Sequence, residues 1–143
     1  IAARNALSGQ SLAYDNAAMP WVVFTDPQVA GVGLSEAQAI KAGHSVKTSI
    51  APLGLVPRAL AAHDTRGLIK LVADADSDVL LGAQILAPEG ADSIQTMVMA
   101  LTFGMTAKAL GETIFPYLTT VEGLKLAAQG FGKDVSKLSC CAG

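Results

Sequence analysis

Gly67-Leu68-Ile69-Lys70-Leu71-Val72-Ala73, Asp74-Ala75-Asp76-Ser77-Asp78 and Val79-Leu80-Leu81-Gly82-Ala83-Gln84-Ile85-Leu86-Ala87 follow one another without a break, and their reading decides the fold class. Two aliphatic runs flanking a polar turn make an antiparallel hairpin. After Pro88 the period changes. Ala91, Ile94, Val98, Leu101 and Met105 recur every three or four residues, the stripe of an amphipathic helix.

Upstream, Trp21 to Thr25 reads as a strand broken by Asp26-Pro27, and Val29 to Leu34 as a second, loosened by Gly31 and Gly33. Ser35 opens a helix with Gln38 at the capping-box position, and Gly43 closes it after Ala42. Val46 to Ala51 is a third strand, and Pro52 to Ala62 a connection punctuated by Pro and Gly that holds Arg58. Ala2, Ala3, Ala6 and Leu7 form the last turns of a helix closed by Gly9. Downstream, Thr106 caps a short helix through Leu110. A further helix runs from Thr120 to about Gly130, with Val121, Leu124, Ala128 and Phe131 on its buried side. Strands first and helices afterwards predict an α+β fold, an antiparallel sheet packed with helices.

The chain has 143 residues, 51% hydrophobic and 15% charged, with a net charge of −2. That is one domain's worth, and its apolar balance leaves surface for an interface. The charge gives no basis for a nucleic-acid or anionic-membrane partner. The longest uncharged stretch, Ser93 to Ala107, is interrupted by Gln95, Thr96, Thr102 and Gly104, and falls short of a membrane span. No secretory leader is visible, so a reducing cytoplasm is expected. The chain starts at Ile1 without a methionine, which suggests a piece of something longer.

Few residues carry chemistry. Cys140 and Cys141 are the only cysteines. A vicinal pair is poorly placed for an ordinary structural disulfide, yet two thiolates together suit a soft metal ion. The competing reading makes them incidental small hydrophobes. Tyr117 lies between two helices in Phe115-Pro116-Tyr117-Leu118-Thr119-Thr120-Val121-Glu122. Spacing alone favours a half-buried ring with one partner for its hydroxyl, against a residue placed for chemistry. Thr119 and Glu122 match a capping box, which would tie Glu122 to the Thr119 amide. His44 and His63 are surface residues with no ligand spacing, and Arg58 is an exposed arginine or an anion binder. Gly31-Val32-Gly33 lacks the third glycine of a dinucleotide fingerprint.

Taken together, these segments resemble the C-terminal dimerisation domain of the pyridine-nucleotide–disulfide oxidoreductases. The marks are Val23-Phe24-Thr25-Asp26-Pro27-Gln28-Val29-Ala30-Gly31-Val32-Gly33-Leu34-Ser35-Glu36, Gly67-Leu68-Ile69-Lys70-Leu71-Val72 and Leu81-Gly82-Ala83-Gln84-Ile85. The resemblance implies a dimerisation domain over 19–135. Residues 1–18 would end an FAD-domain helix and form a linker, and 136–143 would be a flexible tail bearing the cysteine pair. Within the superfamily the chain resembles most the mercuric reductases, on Phe115 to Ala128 and on the ending Lys137-Leu138-Ser139-Cys140-Cys141-Ala142-Gly143. Relatives such as lipoamide dehydrogenase and glutathione reductase carry His-Pro-Thr-x-x-Glu, whose histidine is an acid–base group oriented by the glutamate. Here Tyr117 stands at the histidine, Leu118 at the proline, Thr119 at the threonine and Glu122 at the glutamate. A phenol with a pKa of about 10 is no proton shuttle near neutrality, and reducing thiolate-held Hg(II) needs none.

The resemblance therefore implies a catalytic Tyr117 that also binds Hg weakly, and Cys140 and Cys141 as the ligands that collect Hg(II), free or thiol-bound. It implies a homodimer, in which one subunit's tail and tyrosine serve the other's active site. FAD and NADPH belong to the parent enzyme, whose binding domains and redox-active Cys-x-x-x-x-Cys this chain lacks, so the chain alone is expected to be inactive. The helix with Ile94, Val98 and Leu101 and the segment around Tyr117 are expected at the dimer interface. Two alternatives stay open: the same domain of a lipoamide-dehydrogenase-like enzyme, and a freestanding Hg(II)-binding module.

Overall fold

A computed structural model describes residues 1–138. Its centre is the hairpin of β4 (Leu68–Asp74) and β5 (Leu80–Ala87), which pair antiparallel from Leu68↔Leu86 to Val72↔Gly82. A bulge beyond Val72 brings Ala73 opposite Leu80. Asp74 closes the turn: its Oδ1 accepts from the Ser77 hydroxyl at 2.7 Å and from the amides of Asp76 and Ser77, which lowers its pKa. β3 (Val46–Pro52) adds beside β4, β2 (Gln28–Gly33) beside β5, and β1 (Trp21–Val23) outside β2. The sheet has five strands in the order β1-β2-β5-β4-β3, and every pairing is antiparallel. The α+β architecture read from the sequence is the one observed.

Alternation along the strands puts Ala30, Val32, Ala51, Ile69, Leu71, Ala83, Ile85 and Ala87 on one face. Onto it pack α4 (Gly90–Thr102) and α6 (Glu122–Gln129), through Ile94, Met97, Ala100, Leu124 and Ala127, and α5 (Ala107–Glu112) packs against α6 with Leu110 in the same core. The cap of α2 (Glu36–Lys41) forms as its sequence predicts: Ser35 Oγ accepts from the Gln38 amide and Gln38 Oε1 accepts from the Ser35 amide. The Thr106 hydroxyl caps α5 in the same way. Gly9, at φ 65, closes α1 (Ala2–Ser8). Among the described residues no helix is long and apolar enough to cross a membrane.

Two readings need correction. The connection from Pro52 to Ala62 is not irregular: a 3-10 turn over Leu53–Leu55 leads into α3 (Pro57–Ala61), with Pro57 at its first position, where its missing N–H costs nothing. The buried stripe of α4 is Gly90, Ser93, Ile94, Met97 and Ala100, rotated from the expected one. Ile94 therefore faces the core, while Met99 and Phe103 on the same helix and its cap are exposed. The edge also carries a feature that periodicity could not show: the Trp21 ring lies over Gly31, so a Cβ there would stand 2.5 Å from ring carbon Cζ2.

Gly82 marks the tightest contact inside the sheet. A Cβ at this position would stand 2.1 Å from the carbonyl oxygen of Leu34 and 2.7 Å from its nitrogen, backbone atoms that the Leu34 N–H bond to Leu81 holds in place. Gly82→Ala is expected to cost about 3 kcal/mol or more by overpacking. Gly54→Ala, with open space around it, is expected to shift stability by less than about 1 kcal/mol. Urea unfolding of the two variants checks this, and equal midpoints would contradict it.

Candidate functional site

The segment joining α5 to α6 is pinned at each end. Upstream, the Thr113 hydroxyl donates to the Ala109 carbonyl at 2.9 Å, and Phe115 packs against the core. Downstream, Gly123 leaves no room for a side chain: a Cβ would stand 2.6 Å from Ile69 Cδ1 and 3.1 Å from Val56 Cγ2. The first turn of α6 thus lies directly on β4. Between these anchors Tyr117 is 64% exposed, which overturns the half-buried reading of its ring.

The expected capping box does not form. The Thr119 hydroxyl donates to the Pro116 carbonyl at 2.8 Å, and the residue capping α6 is Val121, which offers no side-chain acceptor. The Glu122 carboxylate still reaches back, but to the Leu118 amide, which donates to its Oε2 at 3.3 Å. Leu118 takes φ 62, in the left-handed region. Both features are closed to proline, which has φ near −65° and no N–H. Because position 118 offers an N–H, Glu122 is taken up by the loop backbone.

A cleft of about 240 Å³ lies beside Thr120, lined also by Arg58, Asp64 and Glu89. Arg58, expected on the surface, is half-buried here. Asp64 is gripped by Arg66 through Nε at 2.8 Å and Nη2 at 2.7 Å, and this pairing holds its pKa down at about 2. Thr120 is 7% exposed, and its hydroxyl donates to Glu89 Oε2 at 3.1 Å. No linear signal announces Glu89, which lies 31 residues before its partner. A second cleft, of about 350 Å³, holds Lys47, whose ammonium donates to Asp78 and lies 5.4 Å from the centre of the Phe131 ring.

Cys140 and Cys141 lie outside the described residues. Among the described residues no group of three His, Cys, Asp or Glu could hold a metal ion. His44 and His63 are exposed, and His44 Nδ1 is 3.4 Å from Asp74 Oδ2 across the fold. FAD and NADPH do not fit these residues. Gly31-Val32-Gly33 lies inside β2, paired with β5, and a Cβ at Gly33 would stand 2.3 Å from the Leu81 carbonyl oxygen. A dinucleotide fingerprint needs instead a turn that opens onto a helix N-terminus.

Residues 19–128 match the family described as pyridine nucleotide-disulphide oxidoreductase, dimerisation domain. Among curated proteins, the chain is 51% identical over 143 residues to a mercuric reductase of Bacillus cereus, covering 100% of this chain and 23% of that protein. It is 54% identical over 137 residues to a mercuric reductase of Acidithiobacillus ferrooxidans, covering 96% and 25%. The chain thus spans about a quarter of the length of these relatives. Among solved structures, the HOCl-induced flavoprotein disulfide reductase RclA from Escherichia coli superposes with a TM-score of 0.81 at 28% identity, over 89% of this chain and 30% of that one.

The backbone at Leu118 is directly testable. Leu118→Pro should cost about 1–3 kcal/mol, because it forces φ out of the left-handed region and removes the N–H that Glu122 accepts. Leu118→Gly keeps that N–H and relaxes φ, and should stay within about 1 kcal/mol of the parent. Denaturant midpoints decide, and a proline variant as stable as the parent would refute this account of the loop.

Proposed function

This chain belongs to the dimerisation-domain family of the pyridine nucleotide-disulphide oxidoreductases, and on that premise we propose that it is the dimerisation and Hg(II)-delivery part of a mercuric reductase. The observation that carries the reading is the Glu122–Leu118 contact. A disulfide reductase needs a carboxylate free to orient an acid–base histidine. Here that position holds an exposed tyrosine, and the carboxylate is engaged with the loop backbone. This arrangement suits a phenol that meets a metal ion rather than one that shuttles protons, and it argues against a lipoamide-dehydrogenase-like enzyme.

In the proposed mechanism Cys140 and Cys141 take Hg(II) as thiolates. Soft sulfur ligands prefer this soft ion, and thiols of pKa about 8.5 release protons as they bind it. When Hg(II) arrives on other thiols, transfer is exchange: one Hg–S bond forms as another breaks, and the displaced thiolate leaves. Tyr117 then meets the ion as a weak oxygen ligand or a hydrogen-bond donor. The electrons that reduce Hg(II) to Hg(0) come from NADPH through FAD, both bound by parts of the enzyme outside this chain, and the chain alone does not turn over. The domain pairs with a second copy, and exposed Met99, Phe103 and Ile114 offer it apolar surface. A reducing cytoplasm suits the paired thiols.

In the full-length enzyme, Tyr117→Phe is expected to lower Hg(II)-dependent NADPH oxidation about tenfold, the weight of one hydrogen bond or weak ligand in the transition state. NADPH oxidation with a small quinone acceptor should hold steady. Equal slowing with both acceptors would assign the ring to packing.

Replacing Cys140 and Cys141 together by alanine should impair turnover most when Hg(II) is supplied with excess glutathione, since delivery then depends on thiolate exchange. Weakly ligated Hg(II) should still be reduced. A double variant with unchanged turnover under excess glutathione would remove the delivery role from the tail.

A further inference from the structure

Glu89 occupies φ 58 and ψ 24, in the left-handed region where a residue with a side chain is strained and glycine is not. Its backbone position needs nothing that glycine lacks: it precedes α4, and its carbonyl accepts the Ser93 amide at 3.1 Å. Glycine would lack the carboxylate. That group reaches from the end of β5 to accept the Thr120 hydroxyl at 3.1 Å, and Thr120 is 7% exposed. A hydroxyl so far removed from water needs its partner.

The connection between α5 and α6 therefore carries two carboxylate fastenings. Inside it, Glu122 accepts the Leu118 amide; from outside, Glu89 accepts the Thr120 hydroxyl. They lie on either side of Thr119, and Tyr117 comes just before the first. The outer one ties the loop to the chain that leaves β5.

We propose that Glu89 is a positioning residue: through Thr120 it fixes the loop so that Tyr117 is held where the metal ion must pass. The role in turnover rests on the reading of Tyr117 given above, whereas the fastening itself does not. Backbone strain at residue 89 is kept because the carboxylate holds the loop.

The test uses Glu89→Gly and Glu89→Gln in the full-length enzyme. Three measurements are made: the thermal midpoint, amide hydrogen exchange over residues 115–122, and turnover with Hg(II) against a quinone acceptor. Glu89→Gly relieves the strained φ, so its midpoint should hold or rise. Its exchange over 115–122 should still increase roughly tenfold, the factor set by one lost charge-assisted hydrogen bond. Hg(II) turnover should fall while quinone turnover stays level. Glu89→Gln keeps an acceptor oxygen and should recover most of both losses. Unchanged exchange in Glu89→Gly overturns the proposal, as does a Glu89→Gly variant that fails to fold, since the carboxylate would then belong to the packing. Faster exchange with full Hg(II) turnover upholds the fastening and overturns the role assigned to Tyr117.

Discussion

The pairing of β4 with β5 is the constraint on which the remaining structure depends. Because the two run antiparallel with Leu68 opposite Leu86, the start of one strand and the end of the other share one end of the sheet. Each offers an attachment there. Ile69 receives Gly123 at the first turn of α6, and the chain leaving β5 carries Glu89 to Thr120. The Tyr117 loop is thus held by contacts that exist only when the hairpin is in register. A slip by one residue would put Ile69 and Ile85 on opposite faces of the sheet, turn one of them out of the core and separate the two attachments.

Most of the architecture was legible because strands and helices leave different periods in the sequence, and the changeover at Pro88 is abrupt. Local caps were equally readable, since Ser35 with Gln38 and Thr106 with Ala109 close over three residues. What escaped depended on distance or on competition. The stripe on α4 was rotated because its burial is set by β2 and β5 together, and small residues such as Gly90, Ser93 and Ala100 carry little hydrophobic signal. The Thr119–Glu122 box was a sound local motif that lost to a rival acceptor, the Pro116 carbonyl, and a rival donor, the Leu118 amide. Glu89 could not be found at all, and Arg58 stood out only as an exposed arginine or an anion binder, because the cleft they share forms only when β5, α3 and the loop come together.

The loop also shows how one backbone position can decide the task of another residue's side chain. With leucine at 118 the backbone offers a donor and takes the left-handed region, and Glu122 has a structural task. Proline there could do neither, having no N–H and a φ near −65°.

At the sheet's outer edge, the Trp21 ring and Gly31 divide a fixed volume between them. The ring fills the space a side chain at 31 would need, and the absence of that side chain is what lets the ring lie flat over β2. The two positions are therefore coupled through shape. A larger residue at 31 is admissible only beside a smaller one at 21, so across descendants of this sequence they are free to drift jointly but not one at a time.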